Sequence, residues 1–249
     1  MVNSDPSLKK SFVVSKKMSD SSRQPLEVYH LSHDLRGPLN SILGFSELLL
    51  EGIEGPLTEY QEADITAIYQ SAQNLLRLIN ELVDVSKLDA DRLKFDFSPV
   101  DVEAVIQSIL SFDFGPNKPE QVELVSSVTE ALPPVRGSQD RVEQMIMSLV
   151  RFGFKRVKSG QIVIKAESKD KMVIIQVILG GVELSTAEMS ELFKLVVHVD
   201  SAGRSELGPG GLALPLAQGL AEMHNGEVRV ERDEINGTTF YLQLPVYEQ

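Results

Sequence analysis

The residues with the clearest chemical potential lie in one stretch, HDLRGPLN, which runs from His33 to Asn40. It places an imidazole directly beside the carboxylate of Asp34, with the cation of Arg36 one helical turn from the histidine. A neutral imidazole nitrogen is a competent nucleophile near neutral pH, and an adjacent carboxylate can set the tautomer of the ring. A lone histidine is more often an ordinary solvated side chain, so the surrounding sequence decides between these interpretations.

The helix that must carry this stretch is amphipathic. Its apolar residues follow a three-four spacing that predicts one stripe, formed by Val28, Leu31, Leu35, Ile42, Phe45 and Leu49. Because successive helical residues rotate by about 100°, we expect His33 roughly opposite Leu31 and Leu35, towards solvent. Pro38 lacks an N–H and its ring crowds the carbonyl of Asp34, so we expect a bend just past the histidine.

A second helix follows a break in the chain. The segment GIEGP at 52–56 ends the first helix near Glu51, and Thr58 with Gln61 has the spacing of a capping box for a helix that reaches about Leu88. A seven-residue repeat runs along this helix through Ile65, Ile68, Ala72, Leu75, Ile79 and Leu82. Such seams are longer than one hairpin can bury, which predicts a homodimer with a four-helix bundle.

The rest of the chain has a different pattern. Residues 1–24 are polar and lack periodicity, so we expect a flexible leader. The predicted strands are 93–97, 121–127, 161–168, 172–179, 227–232 and 238–245, with the turn-prone Asn236 and Gly237 between the last two. The predicted helices are 101–112, 138–157, 185–195 and 211–224. Mixed helices and largely antiparallel strands predict an α+β sandwich, and hence domains at 25–92 and 93–249.

Composition excludes several classes of protein. The chain has 249 residues, 42% of them hydrophobic, and a formal net charge of -12, which opposes binding to nucleic acid or to an anionic membrane. The absence of cysteine excludes disulfides and thiolate metal sites. The four histidines are scattered along the sequence, a pattern that argues against a metal centre. We see neither a membrane-spanning run nor an apolar signal-peptide core, so we expect no membrane insertion and a cytoplasmic location.

The stretch HDLRGPLN, followed by SILGFSELL and by a second helix ending in ELVDVSKLDADRL, resembles the dimerisation and phosphoacceptor domain of two-component sensor histidine kinases. The resemblance implies that His33 is the phosphoacceptor and that Asp34 orients its ring and acts as a base. Arg36 is then expected to offset the charge of the incoming phosphoryl group. The implied partner is a response-regulator receiver domain. Gly37 stands where members that dephosphorylate their partner often have Thr or Asn, so the resemblance does not extend to the residue that can position a water for phosphatase activity.

The segment from Pro99 to Leu244 resembles the ATP-binding domain of the same family, a GHKL-type α/β sandwich. The closest matches are EALPPVRGSQDRVEQMIMSLV and GTTFYLQLPV. The resemblance puts Phe152 where an asparagine helps to hold Mg²⁺, and Ile178 where an aspartate accepts from the adenine amino group. Losing two contacts of about 1.5–3 kcal/mol each lowers affinity by on the order of a hundredfold or more. We therefore expect a degenerate ATP site.

Four residues could remain from a vestigial nucleotide site. They are Lys155, which could meet a phosphate, Gly180 after a predicted strand, and Gly210 and Gly211 in a glycine-rich loop before a helix. Lysines and glycines at such positions are common without any ligand. We expect no cofactor, with ATP and Mg²⁺ bound only if the site has been rebuilt from other residues.

Three hypotheses follow. The first is a phosphotransfer protein in which His33 exchanges phosphoryl groups with receiver domains and ATP is not used efficiently. The second is an active autophosphorylating kinase with an unrecognised nucleotide site. The third is a pseudokinase scaffold that only binds partners. An intact acceptor stretch beside a damaged ATP site favours the first hypothesis.

Overall fold

The computed structural model describes residues 10–13, 24–53, 55–90, 92–128, 131–199, 205–233 and 237–248. The chain divides into two compact units. The first ends at Leu93, and the second comprises the chain from Lys94 onward together with an N-terminal strand. Within the described ranges, no helix combines the length and the apolar character needed to cross a membrane.

The first unit is a hairpin of two helices, α1 (Gln24–Leu50) and α2 (Glu59–Asp89). The predicted capping box at the start of α2 is confirmed. The N–H of Gln61 donates to Oγ1 of Thr58 at 3.3 Å, and the N–H of Thr58 donates to Oε1 of Gln61 at 2.9 Å. These two bonds satisfy backbone donors that the first turn of a helix cannot pair internally.

The hairpin buries one apolar face and leaves another exposed. Its core consists of Leu39, Ala72 and Ile79, with Leu43 and Leu76 packed against them. A second set of apolar side chains, here called the exposed seam, comprises Leu31, Leu35, Ile42 and Phe45 on α1 and Ile68, Leu75 and Leu82 on α2. The repeat predicted as one seam on α2 therefore divides, because Ala72 and Ile79 face α1 whereas Ile68, Leu75 and Leu82 do not.

The second unit combines helices and strands. Its helices are α3 (Val102–Ser111), α4 (Gln139–Arg156), α5 (Thr186–Glu191) and α6 (Ala213–Met223), with a short 3-10 helix at Gly115–Asn117. Its strands are β1 (Lys10–Val13), β2 (Ser98–Val100), β3 (Val122–Ser127), β4 (Val135–Gly137), β5 (Gly160–Lys169), β6 (Met172–Leu179), β7 (Val196–Val199), β8 (Ser205–Leu207), β9 (Glu227–Asp233) and β10 (Gly237–Pro245).

The main sheet has five strands in the order β3-β5-β6-β10-β9, and only the β3–β5 pair is parallel. Alternate residues of β6, such as Val177 and Leu179, are fully buried, as the two-residue period of a strand requires. Helix α4 packs closely on this face. A Cβ added at Gly153 would lie 2.6 Å from Leu179 Cδ2 and 2.8 Å from Ile162 Cδ1, so a larger residue there would require these side chains to shift. The predicted α+β sandwich is confirmed.

Some predicted elements need correction. Residues 93–97 form no strand, because Phe95 and Phe97 pack around a buried histidine instead of joining a ladder. The helix expected at 185–195 ends at Glu191, and the chain then extends into β7, which pairs with β1 and β8.

The expected flexible leader also needs correction at residues 10–13. These residues form β1, which pairs with β7 in antiparallel register, so that Phe12 lies opposite Val197. A short β-forming segment becomes a strand once a partner edge supplies its backbone hydrogen bonds. Residues 1–9 and 14–23 lie outside the described residues.

Candidate functional site

His33 lies on the outside of α1, as the helix geometry predicts. Its side chain is 78% exposed and that of Asp34 is 80% exposed. Nδ1 of His33 is 3.6 Å from Oδ1 of Asp34, a distance within ion-pair range but too long for a good hydrogen bond. The ring turns Nδ1 towards the carboxylate, and no hydrogen bond from the described part of the chain reaches Nε2. Nε2 is therefore the nitrogen open to an incoming electrophile.

Arg36 is held by the second helix of the hairpin. Its Nε and Nη2 atoms donate to Oδ1 of Asn80 on α2, at 3.2 and 2.8 Å. These bonds join α1 to α2 one turn past His33. Asn80 could not be identified from the sequence, because it lies 44 residues further along the chain and only the register of the hairpin places it opposite Arg36.

The residues that follow leave space beside the histidine. Helix α1 continues through Pro38, and Oγ of Ser41 donates to the carbonyl of Gly37 at 3.2 Å. Among the described residues, and apart from the adjoining backbone of α1, a Cβ added at Gly37 would meet no atom within 4 Å. This side of α1 is therefore open near His33 and can be approached closely by another molecule.

In the second unit, Phe152 belongs to a packed core. The residue is 6% exposed, and its ring packs edge-on against Phe240 with centroids 5.4 Å apart. The guanidinium of Arg156 lies 5.3 Å from the same ring and pairs with Glu188 at 2.9 Å. The N–H of Ser185, followed by Arg156, lowers the pKa of Glu188 to about 2. The region around Phe152 is therefore filled by side chains that pack against or pair with one another.

Ile178 and the residues after it form an ordinary strand end. Ile178 is half-buried on β6, paired with Thr239 of β10. Gly180 is exposed and Gly181 has φ of +71°, a conformation that favours glycine in the turn after the strand. Lys155 is exposed in the last turn of α4.

The glycine-rich loop before α6 is closely packed. A Cβ at Gly210 would lie 1.8 Å from the carbonyl oxygen of Leu192, so this glycine is required by packing alone. Gly211 has φ of +60°, which also favours glycine. Both residues therefore have a structural role whether or not a ligand binds.

Several backbone donors of this loop are already used within the protein. The N–H of Gly208 donates to a carbonyl of β7 at 2.8 Å, and that of Gly211 donates to Gly208 at 2.9 Å. In the first turn of α6 the N–H of Leu214 donates to Gly210, and Pro215 has no N–H. A helix N-terminus binds phosphate through unpaired N–H groups, and this one has few to offer.

A buried histidine that the sequence analysis did not single out lies at the end of α6. Nδ1 of His224 is 2.7 Å from the carbonyl of Leu220, and Nε2 accepts from the N–H of Ser138 at 3.2 Å. The rings of Phe95 and Phe97 pack against it, with centroids 4.8 and 5.2 Å away. Burial is the main cause that lowers the pKa of His224. Its neutral form thus connects the start of the second unit to α6.

Two families match the chain, one for each unit. Residues 23–91 match the His Kinase A (phospho-acceptor) domain. Residues 137–248 match the Histidine kinase-, DNA gyrase B-, and HSP90-like ATPase family. The fold and the two domains thus define a protein with a phosphoacceptor hairpin followed by a GHKL-type domain.

Curated relatives contain the same pair of domains within longer chains. Sensor protein GacS of Pseudomonas syringae pv. syringae is 32% identical over 221 residues, which are 86% of this chain and 24% of GacS. Circadian input-output histidine kinase CikA of Synechococcus elongatus is 28% identical over 218 residues, which are 86% of this chain and 29% of CikA. The chain spans less than a third of these relatives. With both domain matches, these similarities show that it belongs to the two-component sensor histidine kinase family.

Solved structures agree on the fold. Full-length ShkA in complex with AMPPNP superimposes with a TM-score of 0.69 at 23% identity, over 90% of this chain and 46% of ShkA. The histidine kinase AdeS of Acinetobacter baumannii gives a TM-score of 0.57 at 18% identity, over 87% of this chain and 98% of AdeS.

Proposed function

We propose that this protein is a phosphotransfer protein of the histidine kinase family. In this proposal His33 exchanges phosphoryl groups with the receiver domain of a response regulator and does not depend on ATP. The observation that carries the proposal is the exposed imidazole of His33, with Nδ1 towards Asp34 and Nε2 open. The acceptor stretch is complete, whereas the ligands expected for ATP are replaced.

The transfer step needs only the groups already described. A receiver domain holds its phosphoryl group on an aspartate as a mixed anhydride. The lone pair of His33 Nε2 attacks phosphorus in line, an N–P bond forms, and the P–O bond breaks with its electron pair leaving on the receiver carboxylate. The ring gains positive charge as it attacks. Asp34 stabilises that charge and takes up the Nδ1 proton or shares it with water.

The second unit supports independence from ATP. The side chain of Phe152 has no oxygen to bind Mg²⁺, and its ring is buried against Phe240. Ile178 cannot accept a hydrogen bond from an adenine amino group. The loop before α6 uses the N–H groups of Gly208 and Gly211 internally. The residues present therefore do not fit Mg²⁺-ATP.

The exposed seam supports a homodimer. It places Ile68, Leu75 and Leu82 along one line of α2, where they are 52%, 47% and 41% exposed. Apolar side chains repeated every seven residues pack well against the same face of a second copy. A four-helix bundle would bury the seam and leave His33 accessible on the outside of the bundle.

The receiver domain is proposed to contact α1 between residues 37 and 50. Gly37 leaves room for close approach, since no atom lies within 4 Å of its Cβ position. A helix of the receiver packed there would place its aspartyl phosphate near Nε2 of His33.

Two parallel incubations test this proposal. Wild-type protein is mixed with a labelled phosphorylated receiver domain, and separately with labelled ATP and Mg²⁺. The proposal expects acid-labile label from the receiver, none on His33→Ala, and a reduced rate on Asp34→Ala.

Other outcomes favour the other hypotheses. Label from ATP that depends on His33 would favour the autokinase. Equal label on wild type and His33→Ala, or no label from any receiver, would contradict phosphotransfer and favour the scaffold.

A further inference from the structure

Arg36 uses only part of its guanidinium group to bind the second helix. Nε and Nη2 lie on one edge of the group, and both donate to the same oxygen, Oδ1 of Asn80. A guanidinium carries five N–H donors in a fixed plane. The described residues provide no partner for Nη1, so the N–H groups of Nη1 remain available to a ligand.

The position of Arg36 on α1 makes this arrangement relevant to His33. Residues three apart on a helix are neighbours on its surface, so Arg36 lies beside His33 on the side that faces α2. An arginine side chain has many rotamers, and an exposed one usually loses considerable entropy when it binds an anion. Two bonds to one acceptor remove most of that freedom in advance.

We infer that Asn80 is a positioning residue that holds the guanidinium of Arg36 beside His33. In this inference Asn80 does not touch the phosphoryl group. It fixes the Nε edge of Arg36 so that Nη1 can donate to a phosphoryl oxygen as the N–P bond forms, a charge-assisted contact. The inference rests on the proposed phosphotransfer function and extends it to a residue on the other helix.

The same helix provides a matched control. Asn74 on α2 also accepts from an arginine, since Nη2 of Arg77 donates to its Oδ1 at 2.6 Å. Both partners of that bond lie on α2, so it joins nothing to α1. Asn74→Ala therefore removes the same chemical group and the same kind of bond without affecting Arg36.

The experiment measures the initial rate of label transfer from a phosphorylated receiver to the full chain. The variants are Asn80→Ala, Asn80→Asp, Asn74→Ala, Arg36→Ala and the double variant Asn80→Ala/Arg36→Ala. Circular dichroism and thermal melting are recorded for each, so that a loss of fold is separated from a loss of rate. An exposed charged hydrogen bond corresponds to roughly a twofold to tenfold effect, which sets the expected loss for Asn80→Ala.

The decisive comparison is the double-mutant cycle. If Asn80 acts through Arg36, the double variant transfers at the rate of Arg36→Ala, and Asn80→Asp, which keeps an acceptor for the guanidinium, recovers most of the wild-type rate. Asn74→Ala is expected to match wild type.

Three results would overturn the inference. The first is a wild-type rate for Asn80→Ala. The second is an Asn80→Ala loss of the same size with and without Arg36, because that loss would come from another contact. The third is absence of transfer to wild type, which contradicts the proposed function itself and is recognised because no variant is labelled.

Discussion

Replacement of Leu75 should weaken the proposed homodimer far more than replacement of a comparable apolar residue elsewhere on the hairpin. Leu75 lies in the middle of the exposed seam on α2, and it is 47% exposed in one protomer. Burying a leucine side chain completely contributes about 1.5–3 kcal/mol. Covering the exposed half of this one contributes about 0.7–1.4 kcal/mol.

In a dimer with twofold symmetry, the burial of Leu75 contributes to the free energy of association twice. Each of the two protomers presents Leu75 to the interface, so Leu75→Ala should cost about 1.5–3 kcal/mol, or roughly a tenfold to hundredfold increase in the dimer dissociation constant. Leu75→Glu should produce monomers at micromolar concentrations, because it also brings two carboxylates into an apolar interface.

Sedimentation equilibrium over a range of concentrations measures these constants. Leu48→Ala is the matched control, since Leu48 is 40% exposed but lies roughly 60–140° around α1 from the four seam residues of that helix at about 100° per residue. It should leave the dissociation constant within about twofold of wild type. A monomeric wild type, or equal effects of Leu75→Ala and Leu48→Ala, would refute the assignment of the seam to the dimer.

Three further predictions concern other parts of the molecule. The folded-state pKa of His224 is lowered, so its contribution to stability is present above the unfolded value of 6.5 and is lost as the pH falls towards the folded value. Melting temperatures measured at decreasing pH should show this loss of stability in wild type and a smaller loss in His224→Phe. This variant also leaves the N–H of Ser138 without its acceptor, at a cost of about 1–3 kcal/mol at every pH. Phe152→Asn should destabilise the second unit by about 3 kcal/mol in denaturant titrations. Calorimetry should still detect no ATP binding to this variant, because the side chain of Ile178 lacks a carboxylate. Micromolar Mg²⁺-ATP affinity in this variant would contradict the prediction. Gly37→Ala should stabilise the hairpin by up to about 1 kcal/mol, because alanine favours a helix more than glycine does. It should nevertheless slow transfer from the receiver, because the added methyl occupies open space on the proposed docking face. An unchanged transfer rate would show that Gly37 does not belong to that face.

Local rules account for the elements that the sequence predicts well. The capping box of Thr58 and Gln61 and the strand at 172–179 depend on residues close together in the chain, and both occur as predicted. The exposure of His33 follows from helix geometry alone. Each of these features depends on one element and needs no knowledge of its neighbours.

The features that the sequence does not predict depend on pairing between distant segments. Asn80 becomes a partner of Arg36 only through the register of the hairpin. Strand β1 forms at residues 10–13 because the edge of β7 is available, and a four-residue segment cannot form a strand without such a partner. Phe95 and Phe97 alternate like a strand, but the rings pack around His224 instead. At residues 93–97, tertiary packing overrides a local strand propensity.

In the proposed function the two units differ in what their chemistry requires, so one can keep its reactive group while the other becomes a packed core. Transfer from an aspartyl phosphate takes its free energy from the mixed anhydride, so His33 needs exposure and orientation but no nucleotide. A nucleotide site needs polar groups that remain unpaired until the ligand arrives, and such groups reduce stability. In this protein, Phe152 packs on Phe240, and the charged groups of Arg156 and Glu188 pair with each other. Under the proposed function, the same contacts that favour a stable second unit would oppose ATP binding, and restoring a single ligand should lose the packing before it gains affinity.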